Sequence, residues 1–537
     1  MHNTTRNERM EPMSVNTQIG VVFVVFTTLV FLRVYTIGSR GKELPPGPKT
    51  IPILGNALNF PTYFPHIKFS EWAREYGEIY SLKVLNGTMI VLSSATAIKS
   101  VLDINGLNTG NRPESTIIRR VTNGNVQALE DMDRPAWRRS RKAMHIFITE
   151  YILGSHTQAQ DAEYSQLMND ILEDPKNTFE HISRMAVGVL ITTLYGSRVP
   201  KYRGSEAETY FRGVKLMNKV TDPGAHPPVD ILWPLRYVPK RWAYWKRLAD
   251  MTRETCAQVF DPLYKQCERA IELNKKTGCF VEYLIMNQQQ LGMSHPEITG
   301  LAEGLMDAGA EATASFLQSI ILVLINYPHV QEKGQKEIDS IIGGDRWPAL
   351  DDYDRCLYIR AIVEELFRFR PVFPVGIPHR SAKETYYKEY RIPENSVIFM
   401  NIYGLFHDPD LYDDPETFDP ERFLKSPFGT KKGVDTGAYR NNLAFGAGRR
   451  ICAGEELARR LIAQNVMNLL WAFSFKKDGS GTGGMDIDSY SRPGIELAPK
   501  HFTCDITPRS KDKACAIKNR FEKAFPIDAN SSIGVKE

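Results

Sequence analysis

Chemistry concentrates in one run of the chain, Phe445-Gly446-Ala447-Gly448-Arg449-Arg450-Ile451-Cys452-Ala453-Gly454. Its three glycines let the backbone turn tightly and come close to a flat object. An apolar helical pattern follows Cys452, so the thiol stands at a helix start. There the positive end of the dipole and unpaired N–H groups favour a thiolate. Arg450, two residues earlier, can reach an anionic group on the edge of whatever the loop holds. A Rossmann phosphate turn does not fit, because its third glycine would fall at 451, which is Ile. The chemistry implied is that of a ligating thiolate beside a cation. The bland alternative is a buried cysteine packed in a Gly-rich turn.

The run resembles the haem-binding signature F-x-x-G-x-R-x-C-x-G of the cytochrome P-450 superfamily, matched at Phe445, Gly448, Arg450, Cys452 and Gly454. The resemblance implies haem b with Cys452 as axial ligand, the thiolate pushing electron density toward O–O cleavage. That mechanism is the family's and does not come from the spacing. Glu365 and Arg368 match the family's E-x-x-R; three apart on a helix, they share a face. Pro420-Glu421-Arg422-Phe423 resembles its P-E-R-F element. By resemblance Glu365, Arg368 and Arg422 form a buried ion triad, structural in role, that fixes the cysteine loop. Trp137 and Arg141 resemble the family's W-x-x-x-R, which meets a haem propionate, and His379 with Arg380 occupies a second propionate position. The neighbouring Arg138, Arg139 and Lys142 read as an exposed basic face, suited to an acidic electron donor.

Ala308, Gly309, Ala312 and Thr313 fall at i, i+1, i+4 and i+5, a stripe of small residues on one long helix. Small side chains let a helix lie against a flat ring; plain helix packing is the competing reading. Thr313 is expected to bond back to the Gly309 carbonyl and loosen the helix. The segment resembles the family's A-G-x-[DE]-T-T, in which Glu311 and Thr313 would handle protons. Ala312 stands where the family has its first Thr, so the usual relay lacks a hydroxyl. Thr313, an ordered water or a substrate hydroxyl is left to serve.

These residues need elements to hold them. The stripe sits on a helix that starts at Ser294, with Pro296 in its first turn and Glu297 completing a capping box, and ends at Asn326 before Pro328. At over 30 residues it is roughly 48 Å long and must cross the whole domain. A second helix is expected over residues 353–370, ending at Pro371, and a third after Cys452 with Leu457, Leu461, Ile462, Val466, Leu469 and Leu470 inward. Residues 78–93 read as a hairpin turning on Asn86-Gly87. Short strands and loops are expected over residues 371–450, terminal strands over 490–508, and a polar, mobile tail from 509.

The remaining composition bounds the setting. In 537 residues, 67 basic and 63 acidic side chains give a net charge of +4, which offers nucleic acid no reason to bind. Seven scattered cysteines without C-x-x-C spacing argue for reduced thiols. Ile19 to Ile37 carries Arg33 as its only charge, long enough for a bilayer core of roughly 30 Å. Residues 1–18 lack the basic start of a cleaved signal, and Arg33, Arg40, Lys42 and Lys49 follow. The reading is an uncleaved anchor with the bulk of the chain cytosolic. Pro45-Pro46-Gly47-Pro48 then forms a stiff elbow.

The organisation expected is a short luminal N-terminus (1–18), transmembrane anchor (19–37), Pro-rich hinge (38–50), haem-thiolate catalytic domain (51–508) and polar tail (509–537). The fold implied by the resemblance is mainly α with a small β region, the cytochrome P-450 fold. The branch it resembles is microsomal and eukaryotic, with fungal wording over residues 350–380. It implies a monooxygenase of the endoplasmic reticulum, placing one atom of O₂ into a small apolar substrate in secondary metabolism. Electrons come from NADPH through a partner reductase or a cytochrome b-type donor, since the chain has no flavin or nicotinamide motif. Pocket walls are expected at Leu305, residues 112–130, Val372 to Ile377 and Gly494 to Leu497. Two alternatives stand: a haem-thiolate isomerase or dehydratase acting on a peroxide without external electrons, and a non-catalytic haem-binding membrane protein.

Overall fold

The computed structural model describes residues 15–125, 129–149, 157–222, 226–344, 346–440, 443–491 and 496–525. Twelve helices of twelve residues or more are found among them. They are α1 (Val15–Thr36), α2 (Pro65–Tyr76), α3 (Pro135–Ile146), α4 (Thr157–Glu173), α5 (Thr178–Tyr195), α6 (Glu206–Thr221), α7 (Tyr244–Glu272), α8 (His295–Asn326), α9 (Pro328–Ile342), α10 (Leu357–Phe369), α11 (Glu455–Ala472) and α12 (Lys511–Ala524). The strands are β1 (Ile79–Val84), β2 (Gly87–Leu92), β3 (His379–Arg380), β4 (Thr385–Tyr387), β5 (Tyr390–Ile392), β6 (Val397–Met400), β7 (Phe473–Lys476) and β8 (Asp505–Pro508). They make one four-stranded sheet in the order β1-β2-β6-β3 and two hairpin-sized pairs, β4-β5 and β7-β8.

The axis of the molecule is α8. Its 32 residues start at the expected N-cap, where Ser294 and Glu297 form the capping box and Pro296 sits in the first turn. From Thr313 to Ile325 every residue is buried, because protein surrounds this half of the helix on all sides. Its apolar window would also suit a membrane by length, but 78% of that window is buried, which makes it a core helix. α5, α9 and α11 pack on it, and the residues of α11 that pattern as apolar all lie in that same core. α10 starts later than expected, because residues Leu350–Arg355 form a separate 3₁₀ turn.

Three further expectations need correcting. The hairpin turns on Leu85 and Asn86, since Val84 pairs with Gly87, and Leu85 takes the left-handed conformation at φ 53°. The Pro-rich segment is docked, not a free elbow. Arg40 donates to Gly47 O (2.7 Å), Pro48 O (2.8 Å) and Ser81 O (2.9 Å), and Ser81 Oγ donates to Pro45 O (2.6 Å). The tail forms helix α12, with Ile517 fully buried against the core. Arg509 pairs with Asp339 and donates to Leu470 O (3.2 Å), Arg520 Nε donates to Ser165 Oγ (3.1 Å), and the Arg198 guanidinium lies 3.5 Å from the Phe525 ring centre. Polarity misled here because the helix buries few residues and holds the rest by ion pairs. Residues 526–537 lie outside the described part.

α1 carries outward-facing apolar side chains, among them Val22, Phe23 and Phe26, each more than 60% exposed. Ending the chain at Pro508 should lower stability by at least about 2 kcal/mol, the worth of one buried Ile. Denaturant midpoints of the full and shortened chains measure this, and equal midpoints would show that α12 contributes nothing.

Candidate active site

The cysteine loop is closed by its own backbone, Cys452 N–H donating to Phe445 O at 2.9 Å. The Phe445 ring is clamped between Phe367 of α10 (centroids 5.1 Å apart) and the Arg459 guanidinium of α11 (5.5 Å). Arg459 is held in turn by Glu364 Oε1 at 2.6 Å. Gly448 takes φ 65°, and a Cβ there would lie 2.1 Å from Leu102 O. Its N–H donates to Asp103 Oδ1 (2.6 Å). Its smallness therefore serves contact with the Lys99–Ile104 turn, not the approach to a flat molecule anticipated from sequence.

The Cys452 thiol is accessible and yet surrounded by protein, as a side chain lining an internal hollow is. Burial pushes its pKa up, while the Gly454 N–H and the Arg141 charge pull it down and Glu455 adds to the rise. Burial prevails, so the helix start does not by itself provide a thiolate. A cation bonded to sulfur would.

Cations crowd beside the loop. Arg450 Nε donates to Gly110 O (2.7 Å), Nη2 donates to Glu130 O, and its guanidinium stacks over Trp137 at 4.9 Å. Arg141 Nη2 donates to Ile451 O at 3.1 Å, tying α3 to the residue before the cysteine. Arg112, 7% exposed, donates to Ile377 O and Pro378 O, and its Nε has no partner. Burial and then the Arg450 charge pull Arg112 down to about 9; burial takes Arg450 down to about 10. Among the described residues neither Arg112 nor Arg141 has a carboxylate partner.

The second predicted pair behaves differently. His379, 2% exposed, gives Nδ1–H to Thr109 O (3.1 Å), and burial with the Arg112 charge holds it neutral. Its Nε2 then offers an acceptor only. Arg380 is committed elsewhere, to Asp131 Oδ2 (2.7 Å), Asn395 Oδ1 (2.7 Å) and Arg112 O (3.1 Å). Arg139 of the basic helix is paired with Glu297, leaving Arg138 and Lys142 exposed.

The ion triad closes as expected. Arg368 donates to both Glu365 oxygens (2.8 and 2.7 Å), and Arg422 Nε reaches the same carboxylate at 3.1 Å. Glu365 is fully buried, and Asp419 N–H donates to it as well (2.9 Å). Arg368 also caps the carbonyls of Phe406, Pro415 and Thr417. The triad thus anchors the 406–422 chain, and Phe367–Phe445 and Arg459 carry that rigidity on to the cysteine loop.

On α8 the small-residue stripe divides. Ala308 is accessible inside the fold and Ala312 partly so. Gly309 instead faces α5, where a Cβ would meet Leu190 Cδ1 at 2.8 Å. Thr313 is buried, and its hydroxyl makes no bond to Gly309 O, so the helix is not loosened there. Glu311 accepts from Asn218 Nδ2 of α6 (3.2 Å) and is hydrogen-bonded to Glu496. Of the expected walls, residues 126–128 and 492–495 lie outside the described part.

The profile of the cytochrome P450 family matches residues 45–502. This chain belongs to the cytochrome P450 family. It is 39% identical over 497 residues to the cytochrome P450 monooxygenase ple5B of Rhodocybe pseudopiperita, covering 91% of this chain and 94% of that one. A cytochrome P450 monooxygenase of Armillaria gallica is 35% identical over 521 residues, covering 96% and 99%. The cytochrome P450 monooxygenase patI of Penicillium expansum is 32% identical over 523 residues, covering 96% and 98%. A zebrafish cytochrome P450 solved with progesterone superposes with a TM-score of 0.69 at 23% identity, covering 83% of this chain and 99% of that one, which shows the shared fold. The protein is a fungal-type P450 monooxygenase of the haem-thiolate class.

The residues of this P450 fit such a cofactor. An accessible thiol in an enclosed hollow faces the need for a metal, and buried Arg112 with an orphaned Nε faces the need for an anion. No motif marks Arg112, which stands alone in Asn111-Arg112-Pro113; only its burial reveals it. Replacing Arg368 by Ala leaves Glu365 buried with one partner fewer and should cost about 3–5 kcal/mol. Denaturant unfolding of the P450 measures this, and a loss below about 1 kcal/mol would deny the triad its role.

Proposed function

We propose that this P450 inserts one oxygen atom of O₂ into a small apolar organic substrate, by hydroxylation or epoxidation, in fungal secondary metabolism. The observation that carries the reading is the accessible Cys452 thiol, set beside Arg141 and near buried Arg112, neither of which has a carboxylate partner among the described residues. Haem b bound through Cys452 supplies the activation of O₂. Arg112, Arg141 and Arg450 would hold its propionates, with Trp137 stacked beneath Arg450. Arg112 takes the place expected of Arg380, which serves as a strut between Asp131 and Asn395. His379 shapes the same wall through Thr109 O. Phe445, Gly448 and Gly454 set the loop's course, and Gly454 N–H donates to the sulfur.

On the opposite side the accessible Ala308 and Ala312 leave room for small reactants. Glu311 and Thr313 hold and pass protons, Glu311 oriented by Asn218. Electrons come from NADPH through a separate reductase. Exposed Arg138, Lys142 and Arg449 flank the residues that meet the cysteine loop and suit an acidic donor. The enzyme sits at the endoplasmic reticulum membrane through α1. A second apolar surface, Leu232, Trp233, Tyr237 and Trp242 with Arg236, Lys240 and Arg241 among them, has the aromatic and basic make-up of an interfacial segment.

Ala312 is the specific feature that favours the peroxide isomerase reading, since such a reaction needs no protons for O₂. The two readings separate in a reconstituted assay. Product that requires NADPH and reductase supports oxygen insertion; product from a hydroperoxide alone supports the isomerase. Reduced protein under carbon monoxide should show the absorption band that names the family, and Cys452→Ala should abolish it. An unchanged band in that variant ends the proposal.

Thr313→Ala should keep haem content and raise peroxide released per NADPH consumed several-fold, whereas Ala312→Thr should lower it. If Thr313→Ala is silent, the hydroxyl that serves belongs to water or substrate.

A further inference from the structure

Glu311 is not alone at its end of the relay. Three elements converge on its carboxylate. α8 supplies Glu311 itself; α6 supplies Asn218, which donates at 3.2 Å; and the C-terminal segment supplies Glu496, hydrogen-bonded to it from the other side. Glu496 is fixed by its neighbour, since Leu497 N–H donates to Val372 O at 2.8 Å just beyond α10. Among the described residues no cation is bonded to either carboxyl. Two carboxylates in contact repel, so the pair keeps one proton between them.

We propose that Glu496 is a positioning residue of the P450 reaction that acts through Glu311, by keeping a transferable proton hydrogen-bonded to the Glu311 carboxylate that Asn218 also holds. This rests on the reading of Glu311 as a proton-handling residue. Of the two, burial and the Glu311 charge push Glu496 well above the carboxylate range, while Glu311 rises less because it accepts from Glu496 and Asn218. The Asn218 N–H needs an acceptor at Glu311, so Glu311 is the base of the pair and Glu496 its acid. The proton moves in two legs. The Glu496 O–H breaks as an O–H forms on Glu311, and that bond then releases its proton onward through the Thr313 hydroxyl or a water. Glu496, left as a carboxylate, takes a proton from solvent.

A route for that return lies alongside. A cavity of about 90 Å³ is lined by Tyr210, Asn218, Cys256, Asp307 and Glu311. Asp307 lies one turn back along α8 and Glu303 two, both pushed up to about 7, chiefly by burial. Tyr210 of α6, whose hydroxyl donates to Met306 O (3.2 Å), lies beside Asp307, while Cys256 and Asp261 face the acids from α7. Glu303 and Asp307 can carry a proton near neutrality. A stored proton upstream offsets the hydroxyl missing at Ala312.

The alternative is a tie that merely staples the C-terminal segment to α8. The substitution Glu496→Gln distinguishes them, since the amide keeps the shape and donates to Glu311 but has no proton to give. Glu496→Leu removes both. Full-length holoenzymes with an unchanged carbon monoxide band are compared in two ways. Infrared difference spectra of wild type against Glu496→Gln should show a protonated carboxyl band at neutral pH that shifts in D₂O. With reductase and NADPH and no added substrate, hydrogen peroxide released per NADPH should rise about threefold or more in both variants. In Glu496→Gln the rise should steepen with pH, because Glu311 alone must then stay protonated. Glu496→Gln matching wild type in both measurements, with Glu496→Leu impaired, makes the pair a structural tie and overturns the proposal. If Glu311→Gln is impaired and Glu496→Gln is not, only this inference falls. If Glu311→Gln is silent, the proton role of Glu311 falls first.

Discussion

A buried guanidinium without a carboxylate is costly, by several kcal/mol for each ion taken from water. This fold accepts that cost at Arg112, which has only two backbone carbonyls for partners and an unsatisfied Nε, and largely again at Arg141. Carboxylates of the same region pair elsewhere: Asp131 holds Arg380, and Glu130 faces Arg119 and Arg134. Internal neutralisation was within reach and did not occur. Positive charge is thus kept available at one spot beside Cys452, and the protein depends on an anion from outside to balance it. A dianionic edge on a bound metal macrocycle meets that demand, and its metal meets the demand of the buried thiol. Folding and cofactor binding are then coupled through the same two deficits.

The ion triad shows what charge looks like when the protein does satisfy it. Glu365 accepts from Arg368, Arg422 and the Asp419 amide, and the remaining guanidinium donors close onto carbonyls. Nothing there asks for a ligand. The contrast separates two kinds of buried charge that look alike in sequence: one fixes the backbone, the other waits for a partner. The link between them is apolar, through the Phe367 and Phe445 rings and the Arg459 stem, so rigidity reaches the cysteine loop without charge doing so.

What could be read from the sequence was what is local. The cysteine loop, the capping box at Ser294 and the Glu365/Arg368 spacing are patterns within ten residues, and each produced the element expected. What escaped depends on distant chain. Arg112 gains meaning only when residues 377–378 fold over it, and Glu496 only when the C-terminal segment reaches α8. α12 was hidden by its polarity, since Ile517 alone of its apolar residues is fully buried and arginines do the rest. Arg380 is held by Asp131 and Asn395, partners that a motif does not show. Gly309 and Gly448 were read as room for a ligand, whereas Leu190 and Leu102 claim that room.

The same lesson applies to Ala312. Judged by motif, this enzyme has lost part of its proton path. Judged by structure, acids lie at Glu303, Asp307 and Glu311, each four residues apart and so along one face of α8, with Glu496 closing the line from another segment. Burial raises all four above the ordinary carboxylate range, Glu303 and Asp307 to about 7. A hydroxyl passes protons but stores none; a buried acid does both. Losing one hydroxyl next to the reacting centre is therefore tolerable where the chain keeps protons a short way upstream. The cost is sensitivity to pH, because the store empties as the acids ionise.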